Sequence, residues 1–265
     1  TQNIVYNKSC NRLQEVSAIL KSERKQLILD EIKEKKFLQL EEMVQLLDSS
    51  ESTVRRDLDE LESEGHLRRV HGGAEVVSKL QTEESIQEKS IKNVQEKMEI
   101  AQKALSLIED GDVIFIDAGT TTELLVELLD RRNLTVVTDS IHHAAKLVDK
   151  HIKTIIIGGF VKQSTDASIG RAAVEQISQL NFDKAFIGMN GVDESFLTTP
   201  DMEEAAIKKT IIENAQKTYV LLDASKIGQV SFAKVARIER VTLITNHSES
   251  VLFNKIKEKT EVIEG

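Results

Sequence analysis

The chain has 265 residues, 40% of them apolar, which suits a small domain beside one sizeable α/β core. Its net charge of −9 excludes a protein that coats nucleic acid non-specifically, and no apolar run approaches a membrane span or signal-peptide core. The single cysteine, Cys10, excludes an intrachain disulfide and points to a reducing, cytoplasmic setting.

Residues 1–20 show no strong pattern and are left unassigned. Leu27, Ile28 and Ile32 predict a first helix over 24–35, and Leu40, Met43, Val44 and Leu47 a second. Asp48-Ser49-Ser50-Glu51 then has the length and turn chemistry of a helix-turn-helix link. The third helix opens within S-E-S-T-V-R-R-D-L, residues 50–58. At 100° per residue, Val54, Leu58 and Leu61 fall within about 60° of one another, while Ser52, Arg55, Arg56 and Asp59 face away. An Arg-Arg pair on an isolated helix is ordinarily a solvated face. Here it follows two short helices, and guanidinium groups early on such a helix can pair with guanine O6 and N7 or clamp phosphates. Ser52 and Thr53 are expected to cap the helix and bond the DNA backbone. Gly65 reads as the helix stop, and residues 66–77 as a hairpin turning at Gly72-Gly73, with Arg68, Arg69 and His71 placed to touch phosphates or the minor groove. Residues 21–77 are therefore read as a winged helix-turn-helix that binds operator DNA. Asp57, Asp59, Glu60, Glu62 and Glu64 crowd the third helix's second half, so its arginines are expected to meet DNA away from the carboxylates, giving site-restricted binding.

Residues 78–95 are polar, with few apolar anchors, and read as a linker. From residue 96 to the end, helical patterns alternate with apolar strands at 113–116, 134–138, 154–157, 184–187, 219–222 and 241–244, which implies a mainly parallel sheet covered on both faces. Seven of the 12 glycines (Gly119, Gly158, Gly159, Gly170, Gly188, Gly191 and Gly228) lie at or just past strand ends, where open α/β sheets bind ligands. Asp117-Ala118-Gly119-Thr120-Thr121-Thr122 runs from a strand into a helix, bringing backbone amides and three hydroxyls to a helix N-terminus that suits an anion. The spacing of a nucleotide P-loop or dinucleotide fingerprint is absent, so a small phosphorylated metabolite fits better and no cofactor is expected. Lys226, in D-A-S-K-I-G at another strand end, is the second charge for that phosphate. Thr138-Asp139-Ser140, Gly191, and Asp201 ahead of Glu204 and Lys208 are placed on the same rim to grip sugar hydroxyls. Glu204 and Lys208, four apart, equally fit a surface ion pair. The histidines lack ligand partners at metal spacing, and no metal is expected.

Taken in order, S-E-S-T-V-R-R-D-L, R-V-H-G-G, D-A-G-T-T-T, G-G-F-V-K, G-M-N-G-V, T-T-P-D-M-E-E-A-A-I-K and D-A-S-K-I-G resemble the DeoR family of bacterial sugar-metabolism repressors over roughly residues 21–245. L-R-R-V-H-G-G, D-A-G-T-T-T and T-T-P-D look most like its fructose operon repressors of Gram-positive bacteria. The resemblance implies a second domain related to ribose-5-phosphate isomerase, a dimeric or tetrameric homo-oligomer, and release from operator by a sugar phosphate, with fructose 1-phosphate favoured. It maps the phosphate loop to Gly119, Thr120, Thr121 and Thr122, and the strand-end lysine to Lys226. The chain departs from the family at Asp139, where Asn is common, and at Ile227, where Phe is common. The competing class is a sugar-phosphate isomerase with Asp117, Asp139, Asp201 or Glu204 as base; the N-terminal reader argues against it, as does the weakness of fold likeness as evidence of activity.

Overall fold

The computed structural model describes residues 20–265 apart from 36, 65, 71, 77–79 and 132, so the expectations for residues 1–19, Gly65 and His71 lie outside the described residues. The chain divides into two compact units, Thr1–Ser78 and Lys79–Gly265.

The first unit runs α1 (Lys21–Lys35), β1 (Phe37–Gln39), α2 (Leu40–Leu47), α3 (Glu51–Ser63), β2 (Leu67–Val70) and β3 (Gly73–Val76). Ile28, Ile32, Met43, Leu47, Val54, Leu58 and Leu61 close a core beneath the three helices, each buried aliphatic side chain stabilising the unit by roughly 1.5–3 kcal/mol. Asp48, in the left-handed region at φ 42°, ends α2. The hairpin forms with Leu67 opposite Val76 and Val70 opposite Gly73. Its turn is therefore one residue earlier than expected: Gly72 takes the positive φ of +84°, while Gly73 begins β3. The sequence reading also missed β1, which pairs antiparallel with β3 and makes a three-stranded sheet. Gly73 serves that pairing, since a Cβ there would overlap the Leu38 carbonyl oxygen.

The second unit opens with α4 (Ile86–Ser90) and α5 (Val94–Leu105). Then come β4 (Val113–Ile116), α6 (Thr120–Leu128), β5 (Thr135–Thr138), α7 (Ile141–Asp149) and β6 (Lys153–Ile156). A hairpin, β7 (Phe160–Lys162) and β8 (Ala167–Ile169), precedes α8 (Arg171–Ile177), β9 (Phe182–Gly188), β10 (Gly191–Val192) and β11 (Phe196–Thr199). The unit ends with α9 (Met202–Asn214), β12 (Ala215–Leu221), β13 (Ala233–Arg237), β14 (Thr242–Thr245), α10 (Val251–Lys257) and β15 (Val262–Glu264).

Seven strands form one parallel sheet in the order β15-β14-β12-β9-β4-β5-β6. Alternation sends Phe115, Ala185, Ile187 and Val220 to one face and Ile114, Ile116, Phe186 and Tyr219 to the other, where separate cores meet them. Burial on both faces is why these strands read as unbroken apolar runs. Antiparallel pieces, β7-β8 and β10-β11-β13, sit outside the parallel alternation and were not anticipated. The stretch read as a linker is instead bonded into this unit: Phe232 N–H donates to the Leu80 carbonyl at 2.9 Å and Ile86 N–H to that of Ser164 at 3.0 Å. No described helix is long and apolar enough to cross a membrane.

Candidate functional site

Ser50 caps α3, its backbone extended and its Oγ accepting the Thr53 N–H at 3.3 Å. Ser52 and Thr53 therefore do not cap the helix as expected: they lie within its first turn, with hydroxyls 3.0 and 2.9 Å from the same Oγ. Behind them, buried Asp57 holds the Arg24 guanidinium in a two-pronged contact of 2.8 and 3.2 Å, fixing α1 against α3. The sequence reading had counted Asp57 only as surface charge. Arg55 and Arg56 are both exposed on the outward face. Arg55 is bridged to Glu51 at 2.6 Å, whereas Arg56 has no ion pair among the described residues. In the hairpin Arg68 pairs with Glu75, and Arg69 with Asp59. Carboxylates are thus interleaved with the arginines, correcting the expected separation along α3. Three of these four arginines must exchange a carboxylate for any phosphate they bind. A cleft of about 570 Å³ beside Arg55 is lined by Phe37, Gln39, Val44 and Gly72.

In the second unit the C-terminal ends of β4, β5, β9 and β12 share one rim of the sheet, the usual ligand edge of this architecture. Asp117 follows β4 and is buried; its Oδ2 accepts the Gly188 N–H at 3.0 Å and pairs with the Lys208 ammonium, which also donates to the Gly188 carbonyl at 3.2 Å. Burial opposes the Lys208 charge, but Asp117 and Glu204 more than offset it and hold the pKa above the ordinary lysine value. Asp139, equally buried, accepts the Ala118 N–H at 2.8 Å. Burial, and then the Asp117 charge, push its carboxyl well above the usual range.

Several expected sugar contacts have structural bonds instead. Thr138 Oγ1 accepts from Ser140 N–H, Ser140 Oγ caps α7 by accepting from His143 N–H, and Asp201 caps α9 at Glu203 and Glu204. A Cβ on Gly191 would overlap the Gln229 carbonyl oxygen, so that glycine serves close backbone packing. Glu204 and Lys208 form no pair with each other and are both buried, which corrects the surface-pair alternative. Glu204 instead accepts from Thr165 at 2.8 Å and from Lys162 at 3.0 Å. Lys162 also bridges Asp201 at 2.8 Å and pairs with Glu83. The three carboxylates Glu83, Asp201 and Glu204 lie close enough to surround a cation, and the Lys162 ammonium fills that role.

Gly119 precedes α6, and the amides of the first turn lack partners within the helix. Thr122 Oγ1 donates to the Gly119 carbonyl at 2.9 Å, so this hydroxyl closes the loop rather than facing a ligand. Half-buried Thr120 and buried Thr121 have hydroxyls without hydrogen bonds among the described residues. Lys226 is half-buried, in a short 3-10 turn capped by Asp223, with no ion pair among the described residues.

A further cation escaped the sequence reading. Lys97 is buried on α5, its ammonium donating to the Lys89 carbonyl and having no salt bridge among the described residues. Burial lowers its pKa, the nearby Asp223 carboxylate opposing and Lys226 adding to that effect. The signal was present: Lys97 occupies the stripe that continues through Ile100, Ala101 and Ala104. Both α4 and α5 pack against α6. His143, under the same rim, has its Nδ1 buried without a hydrogen-bond partner among the described residues, and burial brings its pKa down to about 4.

Residues 24–80 match the DeoR-like helix-turn-helix domain and residues 92–247 the DeoR C terminal sensor domain. The chain is 44% identical over 246 residues to an uncharacterized HTH-type transcriptional regulator, FruR, of Bacillus subtilis, covering 92% of this chain and 98% of that one. It is 34% identical over 249 residues to the lactose phosphotransferase system repressor of Staphylococcus aureus, covering 92% and 99%. Among solved structures, ribose 5-phosphate isomerase A of Methanocaldococcus jannaschii aligns with a TM-score of 0.37 and 22% identity over 51% of this chain and 55% of that one. With both family domains matched in order and full-length relatives above 30% identity, the chain belongs to the DeoR family of transcription regulators.

Proposed function

We propose that this protein is a cytoplasmic repressor of a sugar-utilisation operon, that of fructose, and that it leaves its operator on binding a sugar phosphate such as fructose 1-phosphate. The names of its relatives, a FruR regulator and lactose phosphotransferase system repressors, support the sugar assignment. The features that support the ligand class are a helix start at Gly119 without a side-chain cap and two lysines, Lys97 and Lys226, that have no salt bridge among the described residues. Burial of the Lys97 ammonium outweighs the nearby Asp223 carboxylate, and an anion bound beside it would recover part of that cost. The phosphate is assigned to the α6 amides with Thr120 and Thr121, and the sugar to the rim bounded by Asp117, Asp139 and Lys208. Arg55 and Arg56 are assigned to the major groove, and Arg68, Arg69 and His71 to flanking backbone, with two chains on two half-sites. Release requires the sugar phosphate to prefer the operator-free state by about 1–3 kcal/mol, roughly 5–150-fold. The isomerase alternative is not favoured: Asp117, Asp201 and Glu204 are all held by cations or helix amides.

The test is operator binding with DNA from upstream of the protein's own gene, at fixed salt, against a panel of sugar phosphates. Selective release by one of them is expected, and Lys97→Met should weaken that response at least tenfold while leaving operator affinity unchanged. DNA binding that no sugar phosphate alters would overturn the ligand assignment, and turnover of any of them would overturn the non-enzymatic reading.

A further inference from the structure

The two edges of the seven-stranded sheet differ. β15 is guarded by charge, with Glu264 bonded to His247 and Lys257 and Glu261 to Thr242. Paired or repelling charges of that kind keep a strand edge from joining another sheet. Among the described residues β6 pairs only with β5, which leaves its outer backbone N–H and C=O groups without sheet partners there. Its apolar side chains are also only partly covered on both faces. Ile155 stands opposite Val137, whose core is on one side, and is 40% exposed. Ile156 shares the other face with Thr154 and is 47% exposed. In a parallel sheet such side chains ordinarily lie beneath helices.

The bare region extends from the strand. On α7, Ile141 and Val148, seven residues apart and on one helical face, are exposed, with exposed Ala145 between them. Beyond the strand, Phe160 is 72% exposed and Val161 also faces solvent. These seven apolar residues offer a surface that matches another apolar surface.

We propose that this edge is the interface between two copies of the chain, with β6 pairing antiparallel to the β6 of the second copy across a two-fold axis and the α7 stripes packing beside the seam. An antiparallel strand pair about such an axis is self-complementary, each copy offering the same edge. The exposed apolar side chains amount to on the order of 500 Å² per copy, so two copies bury roughly 1,000 Å² before the strand backbones are added, the size at which specific interfaces begin. Choosing a second copy as the occupant rests on the operator-binding reading, because one reader per chain needs a two-fold partner to engage paired half-sites. The measurement itself uses neither DNA nor sugar phosphate, so its failure is separable from failure of that reading.

The experiment is sedimentation of the full chain across a concentration series, wild type against Val148→Glu/Ile156→Lys, with amide exchange of wild-type residues 153–161 followed over the same series. A reversible wild-type dimer or tetramer is expected. The double variant should weaken the assembly at least tenfold while keeping the wild-type melting profile, and exchange across 153–161 should slow at least tenfold as wild-type concentration rises. A monomeric wild type overturns the proposal, as does an assembly whose 153–161 amides exchange at one rate throughout. If the variant does not fold, the wild-type exchange series decides alone.

Discussion

Arg55 and Arg56 are neighbours in sequence but not equivalent in structure: Glu51 neutralises one, while the other has no ion pair among the described residues. Arg56→Ala should therefore cost about 1–3 kcal/mol of specific operator affinity if its guanidinium reads a base edge. Titration of cognate against scrambled duplex checks this, and equal weakening on both would make Arg56 a phosphate contact. His143 gives a pH prediction at the same scale. Burial depresses its folded-state pKa to about 4, from an ordinary value of 6.5. Its contribution is thus fully present above pH 6.5 and is lost as pH falls towards 4, because the unfolded chain binds the proton first. The full shift corresponds to about 3 kcal/mol. Urea unfolding between pH 7 and pH 4 should show a shallower decline for His143→Gln than for wild type; identical slopes would mean that other groups set the acid sensitivity. A lysine on an apolar stripe was legible at Lys97. Burial of His143, beside exposed His142 on the same turn, was not, because it depends on what packs above it.

At the level of elements, α3 was readable because its cap, stripe and length all lie within fourteen consecutive residues. β1 was not: three residues between two helices have no periodicity of their own, and the strand exists only because β3 passes beside it. The two hairpin glycines separate these effects. Gly73→Ala should destabilise the first unit by about 1–3 kcal/mol, since the added methyl meets rigid Leu38 backbone. Gly72→Ala should cost only about 1 kcal/mol, for its positive φ in open space. Thermal melts of the two variants would show whether that order holds. The Arg24–Asp57 contact joins residues 33 positions apart, and Asp57→Asn should cost about 1–3 kcal/mol by removing the charge from a buried, two-pronged hydrogen-bonded contact. A loss below about 1 kcal/mol in denaturant titration would show that water replaces the carboxylate there.

For the whole molecule, an acidic chain with three of four candidate contact arginines already paired should bind DNA through few net phosphate neutralisations. The slope of log affinity against log salt is expected near −2 to −4 per DNA-binding unit, at about −0.9 for each phosphate contact. A much steeper slope would require basic residues beyond these four. By itself the sequence determined the order of reader and sensor, the helix-turn-helix, the parallel α/β alternation and the helix start at Gly119, because each depends on residues within one or two turns or one strand. The tertiary structure alone decided that Lys208 meets Asp117 across 91 positions, that Lys162 gathers Glu83, Asp201 and Glu204, and that β6 is left as a bare edge. Those outcomes depend on strand order and on which faces are covered, and a local pattern of apolar and polar residues does not encode the identity of a neighbour brought in from a distant part of the chain.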